Sequence, residues 1–90
     1  MARHLSAMKR ARQNEKRRLR NQSRKTRVKN VVRQVRTAVA QKNTAEAQAA
    51  LQTAIPTIAR VASKGTLHWR AAARKISRLT RQVNALTTPA

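Results

Sequence analysis

Apolar residues in this chain recur at helical spacing in three stretches, separated by short polar runs. In the first, Val28, Val31, Val32, Val35, Ala38 and Val39 lie three and four positions apart and fall on one side of a helix. Upstream of Val28 the stripe fades, although no Gly or Pro intervenes anywhere between Leu5 and Gln41. One helix is therefore expected over Leu5 to Gln41, roughly 50 Å long at its usual rise. Its front half has few apolar residues, Leu5, Met8, Ala11 and Leu19 among them, and too few large side chains to bury a face. The pattern predicts one helix with two parts: a C-terminal half that packs and an N-terminal arm that does not. Ser6 is the expected N-cap. The helix is expected to stop near Lys42-Asn43-Thr44, where Lys42 suits the negative end of the helix dipole.

The second stretch predicts a helix from about Thr44 to Ser63, with Ala47, Leu51, Ala54, Ile55, Ile58, Val61 and Ala62 along one stripe. Asn43 followed by Glu46 resembles a capping box at its start. Pro56 interrupts the stripe, because it lacks the donor for the Gln52 carbonyl and crowds it. A kink is the expected outcome, and a break into two helices the alternative. Lys64 and Gly65 form the C-terminal signature, with Gly65 free to take the left-handed conformation. The third helix is expected to open with Thr66 as N-cap and run to about Leu86, ended by Thr87-Thr88-Pro89. Trp69, Ala72, Ile76, Leu79, Val83 and Leu86 form its seam, while Arg70, Arg74, Arg78 and Arg81 line the opposite side with Lys75 on the flank.

No strand pattern appears, and short connections place successive helices antiparallel. The expectation is an all-α, antiparallel three-helix bundle with a long, basic N-terminal helix extending beyond the core. Ninety residues make one domain. Within it we expect a basic arm over 1–27, a bundle core over 28–86 and a tail over 87–90.

Charge changes the picture most. The chain holds 22 Lys and Arg against two acids, for a net charge of +20. Self-repulsion on that scale opposes compaction unless an anion supplies countercharge. Many of the apolar residues are Ala and Trp69 is the sole aromatic, so the core contributes little and the free chain is expected to be partly disordered. Between Asn43 and Ala59 there is no Lys or Arg, which marks the second helix as the neutral, core-forming segment. The arm carries Lys9, Arg10, Arg12, Lys16, Arg17, Arg18, Arg20, Arg24, Lys25 and Arg27 against Glu15 alone. Arg outnumbers Lys, and its planar fork matches phosphate oxygens at two points. Asn21, Gln22, Ser23 and Thr26 add amide and hydroxyl donors among these cations. A helix charged around much of its circumference is suited to touch phosphates on more than one side, as when wedged between nucleic-acid helices.

Other chemistries find little support. There is no Asp, and Glu15 and Glu46 are far apart in sequence, so no catalytic carboxylate pair is expected. His4 and His68 are isolated from other metal-ligand types, where a zinc site normally wants four. We expect no catalytic residue, metal, cofactor or small-molecule substrate. His68, at the N-terminal turn of a helix, is assigned a structural or phosphate-contact role. Trp69 is able to stack on a base, yet its place in the seam assigns it to the core. Absence of Cys excludes disulfides and thiol chemistry and suits a reducing cytoplasm. No apolar run is long enough to span a membrane. The basic N-terminus has no apolar segment behind it and does not read as a secretory signal. Its bias resembles a mitochondrial transit peptide only weakly, because the same bias continues to Arg81. The arm also lacks the Leu, Phe and Trp face of a membrane-active helix.

Lys64-Gly65-Thr66-Leu67-His68, followed by Ala71-Ala72-Ala73-Arg74-Lys75 and Ser77-Arg78-Leu79, resembles a known pattern. So do Ser6-Ala7, Lys9-Arg10, Arg12, Lys16-Arg17, Asn21, Ser23 and Lys25-Thr26. Together they resemble the bacterial small-subunit ribosomal protein S-twenty family over almost the whole chain. That resemblance implies a three-helix bundle that binds small-subunit ribosomal RNA directly, at the bottom of the subunit body, early in assembly and without enzymatic activity. It implies contacts to the 5′ domain and to the long penultimate stem near the 3′ end. It further implies a monomer within the ribosome, in the cytoplasm. By position it carries RNA contacts onto Lys9, Arg10, Arg12, Lys16, Arg17, Asn21, Ser23, Lys25 and Lys29, and onto Lys64, His68, Arg74, Lys75 and Arg78. The charge pattern adds Arg18, Arg20, Arg24, Arg27 and Arg70. Trp69 and Arg70 stand where the family usually has Lys and Asn, Arg3 and Leu5 where it has Asn and Lys, and its second-helix acids are reduced to Glu46. The alternative reading is a DNA-compacting, nucleoid-type basic protein.

Overall fold

A computed structural model describes residues 2–87, and their side chains from residue 4. It contains three helices: α1 (Ala2–Ala40), α2 (Thr44–Ser63) and α3 (Trp69–Thr87). No strand occurs among the described residues. The expected all-α bundle is present. α1 spans 39 residues without interruption, about 58 Å at the usual rise. It begins upstream of Ser6, which therefore lies inside the helix and does not cap it. With no Gly or Pro to stop it, the helix extends back until other residues set its start. Thr88 and Pro89, expected to end the third helix, lie outside the described residues, as does the Arg3 side chain.

The turn between α1 and α2 is short because Asn43 serves both helices. Lys42 takes a left-handed φ of 55°. Its N–H bonds the Val39 carbonyl and the Asn43 N–H bonds the Ala38 carbonyl, both consuming free acceptors at the end of α1. The Asn43 side chain then accepts from the Glu46 N–H at 3.2 Å, capping α2. The expected capping box is thus only half made. The Asn43 N–H that Glu46 would bond is already given to Ala38.

α2 continues unbroken through Pro56, so the alternative of two separate helices is overturned. Pro56 and Gln52 are both exposed, leaving the orphaned carbonyl to water. Gly65, at φ +81°, ends α2 as expected, its N–H closing on the Ala62 carbonyl.

α3 opens differently from the expectation. The Thr66 hydroxyl is turned toward α1 and donates to Asn21 Oδ1, so Thr66 is not the cap. His68 takes that place: its carbonyl accepts from the Ala72 N–H and its Nδ1 accepts from the Arg70 N–H at 3.1 Å.

Clefts between the helices fix their directions. Ala38 of α1 and Gln41 just after it lie beside Glu46 and Ala50 of α2, whereas Arg24 and Arg27 lie beside Arg60 and Lys64. Falling numbers on α1 meet rising numbers on α2, which is an antiparallel pair. The core is Val28, Val31, Val35, Ala38, Ala47, Ala54, Ile58, Val61, Ala72, Leu79 and Val83, small aliphatic side chains throughout. All of them belong to the three predicted stripes. Val28 is the first buried residue of the described chain. From residue 4 to 23 every side chain is exposed, so the front of α1 projects as an arm. The radius of gyration is 18.1 Å, against roughly 12 Å for a compact domain of this length.

Candidate nucleic-acid interface

The arm exists as exposed helix because its sequence favours helix while offering nothing to bury. Lys9, Arg10, Arg12, Lys16, Arg17, Arg18, Arg20, Asn21, Ser23, Lys25, Arg27 and Lys29 are all exposed on α1. At about 100° per residue these side chains point in every direction from the axis. A phosphate can therefore approach the arm from any side.

Two of the predicted cations are already engaged. Arg18 forms a two-point pair with Glu15, Nη2 to Oε1 at 2.6 Å and Nε to Oε2 at 3.1 Å. Hydrogen bonding first and charge second hold the Glu15 carboxyl below its usual value and raise Arg18 above its own. Glu15, the single acid of the arm, is thus taken up by one arginine. Arg24 is half-buried and donates from Nη1 to Asn21 Oδ1 at 3.3 Å and to Thr66 Oγ1 at 3.4 Å. It ties the arm's base to the α2–α3 loop. Among the described residues Arg18–Glu15 is the one salt bridge. Apart from Arg24, the arm cations from Lys9 to Arg27 are exposed.

Packing gathers other cations that are remote in sequence. Lys29 and Lys75 share an open groove between α1 and α3 with Arg33 and Arg36, which sequence reasoning did not nominate. The signal was present, since Lys29, Arg33 and Arg36 repeat at four and three positions on the side next to the valine stripe. Across α1, Arg24 and Arg27 face Arg60 and Lys64 over a cleft of about 200 Å³ that Thr57 and Val61 also line. Arg60 was missed because it stands alone at the end of an otherwise neutral helix. Nothing nearby in sequence pairs it with Arg24. Clusters of guanidinium and ammonium groups without acids leave strong positive potential at both clefts.

On α3, Arg70, Arg74, Lys75, Arg78 and Arg81 are exposed, as the ladder predicted. His68 is exposed, but its Nδ1 is committed to capping, which leaves Nε2 as its free polar atom. Trp69 departs most from expectation: it is 65 % exposed and outside the core. Leu67, from the preceding loop, packs against the core instead.

The arrangement suits polyanion binding. Among the described residues no group of three or more His, Cys, Asp or Glu could hold a metal ion, and no helix is long and apolar enough to cross a membrane. Comparison with known proteins agrees with the surface. The family model described as Ribosomal protein S20 matches residues 2–84. The small ribosomal subunit protein bS20 of Syntrophus aciditrophicus is 54 % identical over 85 residues, covering 94 % of this chain and 96 % of that one. Its counterpart in Trichlorobacter lovleyi is 50 % identical over 86 residues, covering 96 % and 99 %. That of Desulfotalea psychrophila is 52 % identical over 86 residues, covering 96 % and 97 %. An all-helical bundle with a cationic arm, matched in sequence along nearly its whole length, places this chain in the ribosomal protein S20 family, whose members are structural proteins of the small subunit.

Proposed function

We propose that this protein binds small-subunit ribosomal RNA directly, and neutralises phosphates where RNA helices approach each other. The arm enters between such helices, while the two cationic clefts and the α3 ladder grip the backbone around the bundle. The proposed contacts are Lys9, Arg10, Arg12, Lys16, Arg17, Arg20, Asn21, Ser23, Lys25, Arg27 and Lys29 on α1. Lys64 and His68 near the arm's base act with them, as do Arg70, Arg74, Lys75 and Arg78 on α3, and Arg33, Arg36 and Arg60 join them. Arg18 and Arg24 have intramolecular partners and contribute less. From the family we take the location: the bottom of the subunit body, against the 5′ domain and the long stem near the 3′ end, early in assembly. The protein acts there as a cytoplasmic, non-enzymatic monomer within the ribosome.

One observation carries this reading: cations are exposed around the front of α1, where every side chain from residue 4 to 23 is exposed. Such a surface recognises folded RNA by shape and backbone. If about ten phosphates are neutralised, log K falls against log salt with a slope of about −7 to −9. Replacing Arg10, Arg17 and Arg20 together with Ala is expected to make that slope shallower by about two to three. Titration of a transcribed small-subunit rRNA at several salt concentrations measures both slopes. An unchanged slope overturns the arm as the phosphate-binding element. Equal competition by duplex DNA at moderate salt favours the nucleoid-type reading instead.

A further inference from the structure

Trp69 is an exposed large aromatic on a surface dominated by cations, and the other exposed large apolar side chains, Leu5, Met8 and Leu19, lie away from it on the arm. Its neighbours hold it in a defined setting. The His68 imidazole stacks beside it with ring centroids 5.9 Å apart and planes 24° from parallel. The Arg70 guanidinium lies over the indole, 5.2 Å from its centroid. The imidazole is itself fixed, because its Nδ1 accepts the Arg70 N–H in capping α3. Three consecutive side chains therefore form one cationic, aromatic cluster at the helix start, in which the indole remains 65 % exposed. The core does not account for the indole, which stands outside it while Leu67 packs against it.

We infer that Trp69, with His68 and Arg70, is a stacking platform for an unpaired base of the bound RNA. The inference rests on the rRNA-binding reading and adds to it a contact to a base where the remainder touch backbone. The guanidinium over the indole leaves much of the ring exposed for any base to stack on, and it holds the adjoining phosphate. Preorganisation by the cap lowers the entropy lost when the base docks. Charge selects the partner: Arg70 and Arg74 are exposed close by on α3, so an anionic strand is drawn to the ring. The ring thus selects single-stranded positions, loops or bulges, because a paired base has no free face.

Trp69 is the only tryptophan, and the chain has no Tyr or Phe, so intrinsic fluorescence reports this ring alone. The full-length protein is titrated with transcribed small-subunit rRNA, and fluorescence, acrylamide quenching and affinity are followed together. Stacking predicts that Trp69 emission is quenched at saturation and that acrylamide access is lost. Trp69→Leu is expected to weaken binding by about fivefold or more, with the salt slope unchanged. Trp69→Phe is expected to restore most of that loss. Base-specific chemical probing is expected to show an unpaired nucleotide protected by wild type and by Trp69→Phe, and not by Trp69→Leu. Circular dichroism checks that each variant keeps its helix content, as an exposed position permits. Wild-type binding with unaltered emission and equal affinity for Trp69→Leu overturns the platform and leaves the rRNA reading standing. Failure of wild type to bind the rRNA overturns both.

Discussion

The Thr66 hydroxyl donates a 3.1 Å hydrogen bond to Asn21 Oδ1, joining residues 45 positions apart. Arg24 completes the contact by donating to both partners. This is where the arm is fastened to the loop between α2 and α3, one turn before the first core valine. Thr66→Val keeps the shape of the side chain and removes the donor. We expect a loss of about 1 kcal/mol, seen as a fall of about 4–8 °C in the melting midpoint. Amide exchange in residues 20–27 is expected to quicken. A variant with wild-type exchange there would show that the arm is held by α1 alone.

Acid is expected to act on the arm through Glu15. Arg18 lowers the Glu15 pKa in the folded helix, by hydrogen bonding and by charge. A carboxylate with a lowered folded pKa contributes stability that is present above its unfolded value, about 4.3. That stability is lost as pH falls through the lowered value. NMR titration is expected to place the Glu15 midpoint below the ordinary glutamate range and, in Arg18→Gln, to return it there. Both side chains are solvent-exposed, so arm helicity, and not global unfolding, is the property that responds.

Ile58 is fully buried at the centre of a core made of small aliphatic side chains. Ile58→Ala is expected to cost about 2–5 kcal/mol through lost transfer energy and a residual cavity. A domain of this size has little more than that to lose. Urea melts are expected to show a large unfolded fraction in the free variant. Bound rRNA is expected to restore much of the folded population by mass action. No recovery at saturating RNA would show that binding does not require the bundle.

Gly65 sits at φ +81° with nothing within 4 Å of the position a Cβ would take. Gly65→Ala therefore meets no steric clash and reports backbone strain alone, about 1–2 kcal/mol. Gly65→Asn is expected to be milder, because Asn tolerates the left-handed region better. Equal melting midpoints for wild type and Gly65→Ala would mean that the loop relaxes to another conformation.

Local rules were enough for the stripes. Val28 to Val39, Ala47 to Ala62 and Ala72 to Leu86 follow helical period, and every buried residue lies on them. Periodicity alone decides which face of a helix is buried. Asn43, Gly65 and the absence of Gly and Pro before Gln41 likewise act within one turn of chain, so their effects were legible. Charge needed only counting: two acids cannot neutralise 22 bases in any fold.

Tertiary structure decided what depends on distance between elements. Trp69 obeys the seam's spacing, but burial needs a partner, and it is Leu67 that packs against the core. Thr66 has the chemistry of a cap, yet Asn21 stands where its hydroxyl can reach, and His68 caps in its place. Arg60 is isolated in sequence and becomes part of a cationic cleft because antiparallel packing brings Arg24 and Arg27 beside it. A sequence specifies which side chains seek cover, hydrogen bonds or anions. Which of them obtain these within the chain, and which remain for a partner, is fixed only when the helices meet.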